Sequence, residues 1–282
     1  MSKISCAVES ADILGEGPCW SPREGRLYWF DIKGARLNWL APADGRSGRY
    51  ELPMRASAAA PTVSGALLLA TERGLAFFDP RTGATELRQP MDLGPGFRSN
   101  DGVLLGDGCF WWSSMDDDGG KRPGRIFRTC PDGFTEPVIE GIHIANSLAM
   151  SPDGRRLYVA DSVRRTIWAC DTADLSRREV FARTELGGPD GSCVDAEGYL
   201  WNAEWGASRV VRYAPDGRID RILETPVSQP SACMFGGEDL ATLYITSAWE
   251  GLSNAERETQ PLAGGLFAAE VGVRGLPLPL FA

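Results

Sequence analysis

Residues 146–161 read NSLAMSPDGRRLYVAD: a polar entrance, a short apolar run, a Ser-Pro-Asp-Gly turn and a second apolar run ending on aspartate. Asp-Gly supplies the tight turn, and runs this short on either side of it read as an antiparallel strand pair. The unit recurs along the chain. Trp20-Ser21-Pro22, Val194-Asp195-Ala196 and Phe235-Gly236-Gly237 align with Met150-Ser151-Pro152, and weaker copies lie at Thr62-Val63-Ser64-Gly65 and Val103-Leu104-Leu105-Gly106. Further strand-like runs follow each copy (RLYWFDI, GLAFFD, CFWWSS, RTIWACD, GYLWNAE, ATLYITSA), and none shows sustained helical periodicity. The six copies are spaced by roughly 45–50 residues, the size of a four-stranded propeller blade. The sequence therefore predicts an all-β fold, a six-bladed β-propeller forming a single domain over residues 1–282. A β-sandwich also has regularly spaced strands, but it does not repeat a turn-and-strand unit in this way. The strand around Lys3 to Val8 is expected to complete the last blade with GGLFAAEV from the C-terminal segment, which removes the exposed edges of an open ring.

Composition narrows the function. Hydrophobic residues at 43% and charged residues at 24% allow a substantial core without disulfides or metal staples. The formal charge is −9, with no Lys/Arg-rich run, so nucleic acid is not an expected partner. The segment MSKISCAVES lacks the features of a signal peptide, and no uninterrupted apolar stretch is long enough to span a bilayer, so no membrane partner is expected and the cytoplasm is the expected compartment. The seven cysteines, odd in number and without a CxxC pair, read as reduced core thiols. A monomer is expected.

Polar residues just ahead of each turn should meet at the central channel although they are far apart in sequence. Glu16 lies five residues before Ser21, Asn146 five before Ser151 and Asp190 five before Asp195. Taken singly, each is an ordinary turn residue. Their recurrence at one phase of the repeat instead points to one hard-oxygen set on the propeller axis. Such a set suits a single divalent ion, calcium first, with zinc, manganese and iron(II) left open.

The stretches LGEGPCW, R-x-NDG, NSLAMSPDG, PDGSCVDAEGYLW and CMFGGEDLATLYITSA…GLS…PLAGGLF occur in an order that resembles the regucalcin and gluconolactonase family of six-bladed propellers, from about Val8 to Phe267. That resemblance implies that Glu16, Asn146 and Asp190 are metal ligands and that Asn100 lies beside the metal as a further contact and touches substrate. It also implies that Arg98 binds substrate, and that Asp118 replaces a substrate-contacting glutamate in a rewritten Asp116-Asp117-Asp118 loop. The implied activity is hydrolysis of a small sugar lactone to the aldonic acid.

In that chemistry a divalent ion polarises the lactone carbonyl while Asp190 acts as general base or orients the attacking water. Arg98 can pair with ring hydroxyls or the product carboxylate. His143, the only histidine, lacks the orienting partners of a triad and is expected to pack at a strand entrance, and no serine lies in a GxSxG elbow. Trp112 and Trp205 fit the blade core better than a wall against the sugar. A non-enzymatic calcium-binding regulator and a propeller phosphotriesterase are the competing classes.

Overall fold

The computed structural model describes residues 4–282. The strands form six antiparallel four-stranded sheets. Each is a blade, and their innermost strands are Gly15–Ser21, Ala56–Pro61, Phe97–Leu104, Ala145–Met150, Gly188–Val194 and Pro230–Gly236. Each inner strand packs against the next, and the sixth packs against the first, so the ring is a closed six-bladed β-propeller. Closure follows the expected route. Ile4–Val8 is the outer strand of blade 6 and runs antiparallel to Leu266–Glu270, with Cys6 opposite Phe267. Lys3, the expected start of that strand, lies outside the described residues.

The strands form where the apolar runs predicted them, because neighbouring blades sandwich those runs. Trp29, Trp112 and Trp201 are fully buried. Each indole N–H finds an acceptor: Asp12 Oδ2 at 2.8 Å, Thr129 Oγ1 at 3.1 Å and Asp195 Oδ2 at 2.9 Å. Burial therefore carries no unpaired-donor penalty for these rings.

The C-terminal segment crosses the end of the channel where the inner strands finish. Gly275 bridges to Asp195 of blade 5, and Phe281 bridges to Thr62 of blade 2. Phe281 N–H donates to the Pro61 carbonyl and Val63 N–H to the Phe281 carbonyl. A cavity of about 1030 Å³, lined by Leu148, Val194, Phe235 and Leu276 among others, lies on this side.

The cysteine expectation needs a correction. Cys109 and Cys130 form a disulfide, while Cys6, Cys19, Cys170, Cys193 and Cys233 are free. The hairpin of Phe110–Asp116 with Gly124–Thr129 pairs Phe110 with Thr129, which sets Cys109 and Cys130 opposite each other one residue beyond the register. A separation of 21 residues carries no such signal in the sequence.

Candidate active site

Every inner strand slips register once, at the same place in its blade. The slips fall between Glu16 and Cys19, Ala56 and Ala58, Ser99 and Gly102, Asn146 and Ala149, Pro189 and Ser192, and Pro230 and Ala232. A β-bulge bends its strand and re-aims a side chain. The residues set at or beside these bulges are Glu16, Ser57, Asn100, Asn146, Asp190 and Ser231. Four blades thus supply a long oxygen-bearing side chain and two supply serine. The serines are spent on structure: Ser57 Oγ donates to Ser99 Oγ at 2.8 Å, and Ser231 Oγ donates to the Gly15 carbonyl.

The bulges need unusual backbone. Gly17, directly after Glu16, sits at φ +55°, and a Cβ there would overlap the Ser57 carbonyl oxygen. Ser147, directly after Asn146, has φ +59° without being glycine. Its hydroxyl donates to the Asp190 carbonyl at 2.7 Å and accepts from Ser192 Oγ at 3.0 Å and Asn202 Nδ2 at 2.9 Å. These bonds over-determine a conformation that costs about 1–3 kcal/mol.

Glu16, Asn100, Asn146, Asp190 and Arg98 line one cavity of about 620 Å³ at the mouth where the inner strands begin. The structure therefore brings together five of the six residues singled out in the sequence. A hydrogen-bonded chain orders them. Arg98 Nη1 donates to Asn100 Oδ1 at 2.8 Å, Asn100 Nδ2 to Asn146 Oδ1 at 2.8 Å, Asn146 Nδ2 to Ser162 Oγ at 2.9 Å, and Ser162 Oγ to the Pro189 carbonyl at 2.7 Å. The amide orientations are thereby fixed, and each carbonyl oxygen keeps a lone pair for another partner.

Burial raises the pKa of both Glu16 and Asp190. Glu16 is pushed up further by Asp101, and Asp190 by Glu16 and Asp101, with Arg98 opposing in both cases. Asp101, held by the Gly102 and Leu148 amides at 2.7 and 2.9 Å, is raised by burial to about 6. Glu16 and Asp190 thus share the cavity with one guanidinium, and Asp101 adds its negative charge from beside it. The donor set holds two carboxylates and two amides, and among the described residues no group of three or more His, Cys, Asp or Glu is arranged to hold a metal ion.

Asp118 is not in the cavity. Its side chain is 74% exposed and pairs with Lys121 Nζ at 2.7 Å. The loop turns immediately after the strand, so the three consecutive aspartates point three ways. Asp116 takes Arg122 at 2.8 Å, and Asp117 turns inward to line the cavity. His143 makes a 2.7 Å bond from Nδ1 to the Gly120 carbonyl and braces this loop. Trp112 stacks on Phe127 in the core, whereas Trp205 lines the cavity with Lys33 and Glu250. Lys33 and Glu250 come from turns of distant repeats and share no phase with the ligand positions, so the sequence does not single them out.

The fold and this mouth define a propeller that gathers oxygen donors and one buried arginine at the start of its inner strands. The SMP-30/Gluconolactonase/LRE-like region matches residues 14–249, and the chain belongs to that family. It is 39% identical to an L-arabinolactonase of Azospirillum brasilense, covering 98% of this chain and 94% of that one. It is 32% identical to a pentonolactonase of Haloferax volcanii, covering 97% and 96%. The crystal structure of a calcium-binding protein, regucalcin, from Agrobacterium tumefaciens superposes with a TM-score of 0.93 at 33% identity, covering 98% of this chain and 96% of that chain.

Proposed function

We propose that this protein is a sugar lactonase that depends on one divalent metal ion and opens an aldonolactone to the aldonic acid. The observation that carries the reading is the meeting of Glu16, Asn146 and Asp190 with Asn100 and Arg98 in one cavity, all at or beside the same bulge. The names of the lactonase relatives support the reaction class.

The residues fit a metal. Glu16 and Asp190 are carboxylates whose pKa burial raises, Asp190 being raised further by Glu16, an arrangement a divalent cation would relieve, and Asn146 and Asn100 add neutral oxygens. Glu16, Asn146, Asp190 and Asn100 would hold it. An all-oxygen set favours calcium, with zinc, manganese and iron(II) as rivals. When bound, the ion supplies Lewis-acid polarisation of the carbonyl.

The chain's own residues do the rest. Asp190 takes the proton of the attacking water or fixes that water's orientation. Arg98 has Nε bonded to Asp117 Oδ1, and Nη1 to the Ser99 carbonyl and Asn100 Oδ1. Nη2 is left to meet a ring hydroxyl or the carboxylate that forms. Trp205 offers an apolar wall to a sugar face, and Met115 and Ile144 line the same cavity.

The chain acts in this proposal as one domain and a monomer. The five free cysteines fit the cytoplasm, and the Cys109–Cys130 bridge is the feature that points the other way. Among the described residues no helix is long and apolar enough to cross a membrane. Product analysis by NMR after incubation with pentono- and hexonolactones tests the reaction. Ring-opened acid should form above the spontaneous rate, and Asp190→Ala should form none above it. If the wild-type protein instead cleaves only a phosphotriester, or only binds calcium, the lactonase reading falls.

A further inference from the structure

Asp117 receives three cations from three blades. Lys33 Nζ from blade 1 lies 2.9 Å from Oδ1, Arg55 Nη1 ahead of blade 2 lies 2.8 Å from Oδ2, and Arg98 Nε from blade 3 lies 2.7 Å from Oδ1. Charge-assisted donors thus occupy both oxygens, leaving the carboxylate poorly suited to abstract a proton or to bind a sugar hydroxyl. These donors hold its pKa well below the usual carboxylate range although burial opposes them.

The three cations do not depend on Asp117 equally. Lys33 also pairs with Glu250 at 3.2 Å, and Arg55 also pairs with Glu72 at 2.7 Å. Arg98, almost fully buried, has Asp117 as its only ion-paired carboxylate among the described residues. Arg98 in turn orients the Asn100 amide and through it Asn146. Asp117 therefore supplies the direct ion pair that holds this guanidinium in its buried pose, beside the longer-range attraction of Glu16 and Asp190.

We propose that Asp117 is a positioning residue for the lactonase site: it acts through Arg98, fixing the guanidinium so that Nη2 faces the incoming ring. The inference rests on the lactonase reading. It replaces the direct substrate contact expected of Asp118 with an indirect role for the neighbouring aspartate. Lys33 and Arg55 act as struts that hold the Asp117 carboxylate in line with Arg98 Nε.

A double-mutant cycle of Asp117→Ala and Arg98→Ala tests this. Because a misplacement of about 1 Å can cost up to about 100-fold in rate, Asp117→Ala is expected to lower kcat/KM by roughly 10- to 100-fold. In the Arg98→Ala background the same change should cost less than about twofold, since the proposed route through the guanidinium has gone. Asp117→Asn keeps one oxygen for Arg98 Nε and should retain an intermediate rate, which a role in packing alone would not produce. A second readout needs no substrate: the Arg98 Nε–H, followed by ¹⁵N NMR, should exchange slowly in the wild type and rapidly in Asp117→Ala. Undiminished exchange protection in Asp117→Ala would overturn the inference. So would kinetics within twofold of wild type, or a loss that simply adds to that of Arg98→Ala. Wild-type protein that turns over no lactone, yet shows the protected proton and its loss, would instead sink the lactonase reading and leave the Arg98–Asp117 coupling standing.

Discussion

Gly17→Ala is the substitution that most sharply separates the geometry of the bulge from glycine's general flexibility. Gly17 sits at φ +55°, and an added Cβ would overlap the Ser57 carbonyl oxygen of the neighbouring blade. Gly45, in the last turn of blade 1, has φ +70°, and nothing lies within 4 Å of a Cβ there. Both alanines incur the left-handed backbone cost of about 1–2 kcal/mol. Only Gly17→Ala must also push two inner strands apart, an overpacking cost of about 1–3 kcal/mol. At 2–4 °C per kcal/mol, values suited to a domain somewhat smaller than this one, the extra loss in melting temperature is about 4–8 °C for a 2 kcal/mol overlap. Scanning calorimetry of the two variants side by side removes the shared backbone contribution. Gly17→Ala should also lower kcat/KM by displacing Glu16, while Gly45→Ala should leave it unchanged. Equal melting temperatures for the two variants would refute the claim that close contact between blades fixes the bulge beneath Glu16.

Three further outcomes follow from the same coordinates. Asp190→Asn should abolish measurable turnover yet stabilise the chelator-treated protein at pH 8. The folded-state pKa of Asp190 is raised above its unfolded value, so the metal-free fold loses stability as pH rises through that range. An unchanged or lower melting temperature for metal-free Asp190→Asn would contradict this. Asp117 has the opposite sign: its pKa is depressed in the fold, so the stability it contributes is present at neutral pH and is lost only below the ordinary aspartate range. The gap in melting temperature between wild type and Asp117→Ala should therefore narrow as pH falls below about 4, and a gap independent of pH would count against the ion-pair account. For the disulfide, thiol titration of unreduced, unfolded protein should find five free thiols. Cys109→Ser should cost about 2–4 kcal/mol by urea unfolding, and a count of seven thiols would remove the bridge.

The ring was legible because each turn-and-strand unit carries its own signal: Ser-Pro-Asp-Gly in blade 4 and Asp-Ala-Glu-Gly in blade 5 mark where an inner strand ends. The spacing of Glu16, Asn146 and Asp190 was legible for the same reason, since the bulge repeats with the blade. Ser57 and Ser231 share that position, but a serine there has no chemistry to announce it. The Asp116-Asp117-Asp118 run illustrates the limit. Which carboxylate turns inward depends on the reversal of the chain after the strand, where Gly119 and Gly120 both adopt φ +67°, and a one-residue difference exchanges the inner and outer faces. Cys109 and Cys130 meet through hairpin register, and Lys33 reaches Asp117 across blades. Contacts of that kind arise from tertiary packing and leave no periodic trace.

The most direct test is proton release in a pH-stat when the purified chain meets a panel of pentono- and hexono-lactones, run after chelation and again after adding back calcium, zinc, manganese or iron(II). The account predicts turnover above the spontaneous rate with at least one lactone, its loss on chelation and its return with a divalent ion. Metal-loaded protein that leaves every lactone at its spontaneous rate, or that hydrolyses them equally well after complete chelation, would contradict it.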